Sequence, residues 1–129
     1  MADPKGHILI VDDEVDLTRV LSKRLEAAGF TVKTAEDGQS ALAKAREDRP
    51  GLIILDVMLP KMNGYEVCAK IKGDQALKAI PVVLFTAKGQ TQQQHLAGVM
   101  AGADAYISKI SEFKVLVDQI KALLPQGAN

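Results

Sequence analysis

Three four-residue segments contain only large apolar side chains: ILIV at 8–11, LIIL at 52–55 and VVLF at 82–85. A strand with one face in water alternates apolar and polar residues, whereas a strand covered on both faces does not. These segments therefore predict central strands of a parallel sheet. FTVKTA at 30–35 and AYIS at 105–108 have mixed composition and complete a set of five predicted strands.

Helical patterns follow each predicted strand. Apolar residues recur at helical spacing in the segments 15–29, 38–48, 65–72, 91–102 and 113–124. Strict alternation of strand and helix predicts an α/β fold in which a doubly wound, five-stranded parallel sheet carries helices on both faces. A length of 129 residues fits one domain over 1–129. We expect 1–6 and 125–129 to be frayed tails.

Composition excludes several classes of protein. Sixteen basic and sixteen acidic residues cancel, so the broad positive field of a nucleic-acid-binding protein is absent. No apolar run reaches the roughly 18 residues of a membrane span, and no secretory signal begins the chain, so a cytoplasmic protein without membrane contact is expected. The single Cys68 has no disulfide mate and is interpreted as a small buried apolar residue.

Polar residues follow four of the predicted strands. Asp12 and Asp13 come after the first, Asp56 after the third, Thr86 after the fourth and Lys109 after the fifth. The carboxyl ends of parallel strands share one edge of a sheet, where ligands collect near the switch in strand order. Neighbouring carboxylates persist there when they are solvated or when a cation neutralises them.

Each of these residues also has a simpler interpretation in isolation. The acids at 12–14 suit the first turn of a helix, Asp56 suits a turn before Pro60, and Lys109 suits a solvated surface. Their common edge favours a joint functional site. Glu14 is interpreted as a solvated acid that starts a helix. His7 and His95 have no nearby acid in the sequence and are interpreted as structural or exposed.

Four fragments of the chain resemble one protein family in the right order: ILIVDDE at 8–14, LIILDVMLPKMNGYE at 52–66, VVLFTAK at 82–88 and GADAYISK at 102–109. The chain resembles the response-regulator receiver domain of two-component signalling, of the chemotaxis-regulator type. The resemblance covers essentially the whole chain, and it implies a flavodoxin-like (βα)5 fold.

The resemblance implies that Asp56 is the phosphoacceptor. It also implies that Asp12, Asp13, Asp56 and the main-chain carbonyl of Met58 bind a divalent cation, usually Mg²⁺. The chemistry agrees, because a carboxylate that attacks a phosphoryl group needs a cation to offset both charges, and Mg²⁺ favours oxygen ligands.

Further roles follow from the same resemblance. Thr86 is similar to the hydroxyl residue that hydrogen-bonds the phosphoryl oxygen, and Lys109 to the lysine that supplies a point charge. Tyr106 matches the aromatic switch residue, which turns inward as Thr86 moves. The alternative for Tyr106 is an amphipathic ring at the edge of a strand.

Three positions bear on how this chain differs from the family that it resembles. Ile110 stands where the family usually has a proline in a cis peptide; because a non-proline cis bond costs roughly 2.5 to 4 kcal/mol, we predict a trans Lys109–Ile110 peptide. Met58 and Lys88 occupy the positions through which the family tunes the lifetime of the phosphorylated state. Neither offers an acid or amide to orient water, which predicts a long-lived phosphoprotein.

These observations predict a signalling domain that accepts a phosphoryl group from a histidine kinase or phosphotransfer protein. It would be a phosphoacceptor that promotes its own phosphorylation and dephosphorylation rather than an enzyme acting on a separate substrate. It would then change its affinity for a downstream protein through the fourth helix, fifth strand and fifth helix (91–102, 105–108 and 113–124). The chain fits both a single-domain regulator and the receiver of a longer protein.

The alternative function is an interaction module that keeps the fold without phosphorylation-dependent switching. A flavin-binding protein is disfavoured because the chain has no Trp, two Tyr and three Phe, which leaves few stacking partners. A hydrolase with an aspartyl nucleophile is disfavoured because Val57 and Met58 follow Asp56, where such enzymes resemble Asp-x-Asp.

Overall fold

A computed structural model of the protein describes residues 6–87, 96–97, 99–109 and 111–124. Its five strands are β1 (Ile8–Val11), β2 (Val32–Ala35), β3 (Leu52–Leu55), β4 (Val82–Thr86) and β5 (Ala105–Ser108). All neighbouring strands are parallel and the order is β2-β1-β3-β4-β5, so the direction of progression reverses between β1 and β3. The predicted fold class is confirmed.

Four helices have bounds within the described residues: α1 (Val15–Ala27), α2 (Gly38–Asp48), α3 (Gly64–Lys72) and the C-terminal helix (Phe113–Leu123). Of the helix predicted over 91–102, residues 96–97 and 99–100 are helical, and 91–95 and 98 lie outside the described residues. Of the predicted tails, only Gly6 is described.

The sheet separates two apolar clusters. Side chains of α2 and α3 cover one face of the sheet, and side chains of α1 and the C-terminal helix cover the other. Every residue of β1, β3 and β4 is buried, whereas the edge strands β2 and β5 are partly exposed. This difference follows from the wholly apolar composition of the three central strands. Cys68 is buried, as predicted, and its Sγ lies 3.5 Å from the carbonyl oxygen of Ala101.

The second strand is shorter than its sequence pattern predicted. Phe30 lies before β2 because its N–H donates to the Leu25 carbonyl at 3.0 Å, which ties it to the end of α1. Gly29 adopts φ +100°, the left-handed conformation that closes helices of this kind. In the described part of the chain, no helix has both the length and the apolar character needed to cross a membrane.

Candidate phosphoacceptor site

The ends of β1 and β3 place two acidic side chains next to each other. The Asp12 N–H donates to the Ala35 carbonyl at 3.1 Å and the Asp56 N–H donates to the Val11 carbonyl at 2.9 Å, so strand pairing continues into both residues. The two side chains are only 5% and 4% exposed. They lie at the carboxyl edge of the sheet, beside the reversal in strand order.

Three carboxylates converge at this edge. Asp12, Asp13 and Asp56 each offer an oxygen, and these oxygens lie within 4.8 Å of one another. Asp13 is exposed, so the cluster is open to solvent on one side. Such a set of oxygen ligands can hold a metal ion.

Lys109 brings one positive charge to the cluster. Its Nζ lies 2.8 Å from Asp12 Oδ2 and 3.4 Å from Asp56 Oδ2, and its side chain is 13% exposed. A third carboxylate, Glu14 Oε1, lies 3.3 Å from the same nitrogen. The Lys109 N–H also donates to the Thr86 carbonyl at 2.6 Å, which joins the end of β5 to the end of β4.

The electrostatics of the cluster shift two pKa values. Burial, followed by the negative charge of Asp12, raises the pKa of Asp56 above its usual value, although Lys109 acts in the opposite direction. Burial acts to lower the pKa of Lys109, but its hydrogen bond to Asp12 and the nearby carboxylate charges outweigh burial and raise that pKa. Lys109 is therefore charged at neutral pH. Because several carboxylates surround this one positive charge, adding negative charge near Asp56 is unfavourable without a further cation.

The loop after Asp56 is held close to the sheet. The Met58 N–H donates to Asp56 Oδ1 at 3.3 Å, while the Met58 side chain is 71% exposed. Gly64 begins α3 so near this loop that a Cβ there would lie 2.3 Å from the Asp56 carbonyl oxygen. Only glycine fits at that position without moving the loop. Asn63 and Glu66 then cap α3 reciprocally.

Thr86 and Tyr106 lie on the face of the sheet that α2 and α3 cover. Leu84 belongs to the apolar cluster on that face, and Tyr106 is the partner of Leu84 in the register of β4 and β5. Thr86 follows Leu84 by two residues along β4 and therefore lies on the same face. Thr86 is buried, and the half-buried Tyr106 places its hydroxyl 2.8 Å from that of Tyr65.

Sequence reasoning missed two contacts at this site. Glu14 is 63% exposed, consistent with a solvated acid, but its contact with Lys109 spans 95 positions and nothing in either local pattern predicts it. The sequence pattern places Tyr65 in a helical segment and carries no signal for its contact with Tyr106. His7 is buried, whereas Lys88, His95 and the Lys109–Ile110 peptide lie outside the described residues.

Comparison with known proteins identifies the family. The family model for the response regulator receiver domain matches residues 8–121. The chain belongs to the response regulator receiver family. It is therefore a signal-transduction domain of two-component systems.

Individual relatives agree with this assignment. Probable transcriptional regulator ycf27 of Cyanophora paradoxa is 38% identical over 125 residues, which are 97% of this chain and 51% of that protein. This receiver chain thus spans about half the length of the curated relatives it matches.

Solved structures show the same likeness. The signal receiver domain of a signal transduction histidine kinase from Syntrophus aciditrophicus has a TM-score of 0.86 at 35% identity, covering 92% of this chain and 89% of that chain. Response regulator protein TrrA from Thermotoga maritima, in complex with Mg²⁺ and BeF, has a TM-score of 0.83 at 34% identity, covering 92% and 99%.

Proposed function

We propose that this receiver domain accepts a phosphoryl group on Asp56 from a phosphohistidine of a histidine kinase or phosphotransfer protein. An Asp56 carboxylate oxygen forms the new bond to phosphorus, the phosphorus–nitrogen bond of the donor breaks, and its electron pair stays on the imidazole. The observation that carries the proposal is the convergence of Asp12, Asp13 and Asp56, two of which contact the nearly buried Lys109.

The proposal assigns Mg²⁺ as the cofactor. Asp12, Asp13, Asp56 and the Met58 carbonyl would hold it, and three carboxylates with an open side suit a cation that keeps several waters. A magnesium ion bound there supplies positive charge that offsets repulsion between the carboxylate and the phosphoryl group. The Mg²⁺ and BeF bound to Thermotoga TrrA supports the same assignment.

Lys109 and Thr86 would recognise the phosphoryl oxygens. Lys109 contacts three carboxylates at 2.8, 3.3 and 3.4 Å, and the two longer contacts are the easier to exchange for a phosphoryl oxygen. The Thr86 hydroxyl would donate a hydrogen bond to a second phosphoryl oxygen. Its movement toward the phosphoryl group would favour the inward placement of Tyr106, which lies on the same face of the sheet.

A protein is the proposed target of the switch. Large apolar side chains are exposed on and around the predicted output elements: Leu96, Val99, Met100 and Val115. Exposed apolar residues on these elements suit a protein contact. The zero net charge of the domain supports a protein target over nucleic acid.

Addition of beryllofluoride and Mg²⁺, a mimic of the phosphoryl group, tests this function by NMR. We expect saturable shifts of resonances near Asp56, Thr86 and Tyr106. The Asp56→Asn variant is the matched control, because it keeps the size of the side chain and loses the attacking oxygen. Absence of shifts in the parent would favour the alternative, an interaction module that does not respond to phosphorylation.

The proposal includes a long lifetime for the phosphorylated state. Met58 is exposed beside Asp56 and can cover the approach to phosphorus without orienting a water molecule. Lys88, the second tuning position, lies outside the described residues and stays a prediction. We expect Met58→Asn to speed the loss of radiolabelled phosphate at fixed Mg²⁺.

Met100→Asn provides the control for that measurement, because Met100 is 79% exposed and lies far along the chain from Asp56. It should leave the decay rate unchanged. A Met58→Asn protein that decays at the parental rate or more slowly would contradict the shielding role.

A further inference from the structure

The two tyrosines of the chain meet each other. They lie 41 positions apart, Tyr65 as the second residue of α3 and Tyr106 as the second of β5, and their hydroxyl oxygens are 2.8 Å apart. Both rings are half-buried and pack against the apolar cluster that α2 and α3 share with the sheet. We call these two residues the tyrosine pair.

The hydrogen bond of the tyrosine pair is favourable where it lies. A phenol that packs against an apolar cluster needs a partner for its hydroxyl, and the pair supplies one to each ring. Burial, and then the hydrogen bond with Tyr65, raises the pKa of Tyr106 above its usual range. The Tyr106 hydroxyl is thus neutral at neutral pH, and either hydroxyl of the pair can donate the hydrogen bond.

The Tyr65 end of the pair is anchored to the phosphoacceptor loop. The N–H of the preceding Gly64 donates to the Val57 carbonyl at 2.9 Å, and a Cβ at Gly64 would lie only 2.3 Å from the Asp56 carbonyl oxygen. Tyr65 therefore follows directly from a backbone segment that is fixed relative to Asp56. The pair connects this segment to β5, on the sheet face that also carries Thr86.

We propose that Tyr65 is a positioning residue that favours the inward placement of the Tyr106 ring, which is the half-buried one in the structure, before phosphorylation. This inference rests on the proposed function, in which inward placement of Tyr106 accompanies phosphorylation. A contact that favours this placement in advance lowers the cost of switching. By linkage, it must also strengthen binding of the phosphoryl group or its mimic.

Tyr65→Phe isolates this contribution, because it removes one hydroxyl and keeps the ring. We expect the apparent affinity for beryllofluoride at fixed Mg²⁺ to fall by about two- to tenfold, the effect of one neutral hydrogen bond. In the Tyr106→Phe background the same substitution should have little effect, since the hydrogen bond is already lost. This double-mutant cycle separates a positioning role from a general role in the stability of α3.

Tyrosine fluorescence gives a second readout. The chain has no Trp, so Tyr65→Phe leaves Tyr106 as the sole strong emitter and Tyr106→Phe leaves Tyr65. Without the mimic, the emissions of the two single-tyrosine proteins should not sum to the parental emission, because each substitution breaks the hydrogen bond of the pair. On adding the mimic, the emission of Tyr106 should change more in Tyr65→Phe than the emission of the intact pair changes in the parent.

The outcomes distinguish the two proposals. A parent that does not bind beryllofluoride overturns the proposed function. The role of Tyr65 is overturned if the emissions of the two single-tyrosine proteins sum to the parental emission without the mimic. It is also overturned if Tyr65→Phe binds the mimic as tightly as the parent or more tightly. The third contradicting result is that Tyr65→Phe lowers affinity in the Tyr106→Phe background as much as it does in the parent.

Discussion

Lys72 and Lys109 place an ammonium group at opposite edges of the same sheet, with side chains that are 18% and 13% exposed. Lys72 ends α3 and reaches the edge where β4 and β5 begin. Its Nζ lies 2.8 Å from Asp104 Oδ2 and donates to the carbonyls of Ile80 and Lys78 at 2.7 and 3.3 Å. One cation thus meets one carboxylate and two backbone oxygens.

The edge around Lys109 has a different balance of charge. Lys109 contacts three carboxylates, and Asp13 adds a fourth to the cluster, so a single cation faces an excess of negative charge. Asp104 is instead fixed by a second contact, because its Oδ2 accepts the Val82 N–H at 2.8 Å. A nearly buried lysine is thus structural when one acid and neutral carbonyls satisfy its ammonium group, whereas a lysine surrounded by surplus acids suits a binding site.

The first prediction tests the structural lysine. Asp104→Ala leaves the Lys72 ammonium without its carboxylate and the Val82 N–H without its acceptor. We expect the free energy of unfolding to fall by about 2 kcal/mol in urea denaturation. Asp118→Ala is the control, because it breaks the exposed Lys114–Asp118 pair and should cost less than about 0.5 kcal/mol. Equal effects would contradict a structural role for the Lys72–Asp104 pair.

The second prediction concerns the surplus acids. Asp13→Ala removes one of the three carboxylates among the proposed metal ligands, so we expect Mg²⁺ affinity to fall on the order of tenfold or more. Chemical-shift titration measures both proteins, and the Asp104→Ala variant should retain parental affinity. Equal affinities for the parent and Asp13→Ala would contradict the metal site.

The third prediction concerns competition between Lys109 and the metal ion. Both require the Asp12 and Asp56 carboxylates, so Lys109→Met should tighten Mg²⁺ binding about fivefold, equivalent to ~1 kcal/mol. Lys72→Met is the matched control at the other edge and should leave Mg²⁺ binding unchanged. Weaker binding in Lys109→Met would mean that the lysine orders the ligands rather than competing for them.

The fourth prediction follows from the raised pKa of Asp56. Folding favours the protonated form, so ionised Asp56 lowers stability above its folded pKa, and this cost disappears as pH falls below the unfolded value of about 3.9. Without Mg²⁺, Asp56→Asn should raise the melting temperature at pH 7 by about 3 °C. The gain should shrink at acidic pH. A gain that is independent of pH would have another cause than relief of charge.

Much of the fold could be predicted from the uninterrupted apolar runs in the sequence. The runs at 8–11, 52–55 and 82–85 predicted buried strands because no polar residue interrupts them, and all three are central in the sheet. The convergence of acids at one edge followed from the parallel direction of these strands. The start of β2 was misplaced because Phe30 is apolar and suits a strand, whereas a hydrogen bond to Leu25 fixes it at the end of α1.

The contacts of the site were less predictable than its members. The Glu14–Lys109 and Tyr65–Tyr106 contacts join segments that lie far apart in the chain, and their distances depend on how α1 and α3 sit against the sheet. A single sequence carries no signal for such pairs. The capping box at Asn63 and Glu66 was readable in principle, since its spacing is local.

The reactivity of the Cys68 thiol can report local unfolding of the core around α3. The thiolate is the reactive form of cysteine, and burial raises the pKa of Cys68 to about 11, so at neutral pH the folded protein shields a thiol that is also protonated. Alkylation of Cys68 therefore requires α3 to separate from the segment that contains Ala101. With no second cysteine to confuse the signal, the labelling rate measures how often this part of the core opens.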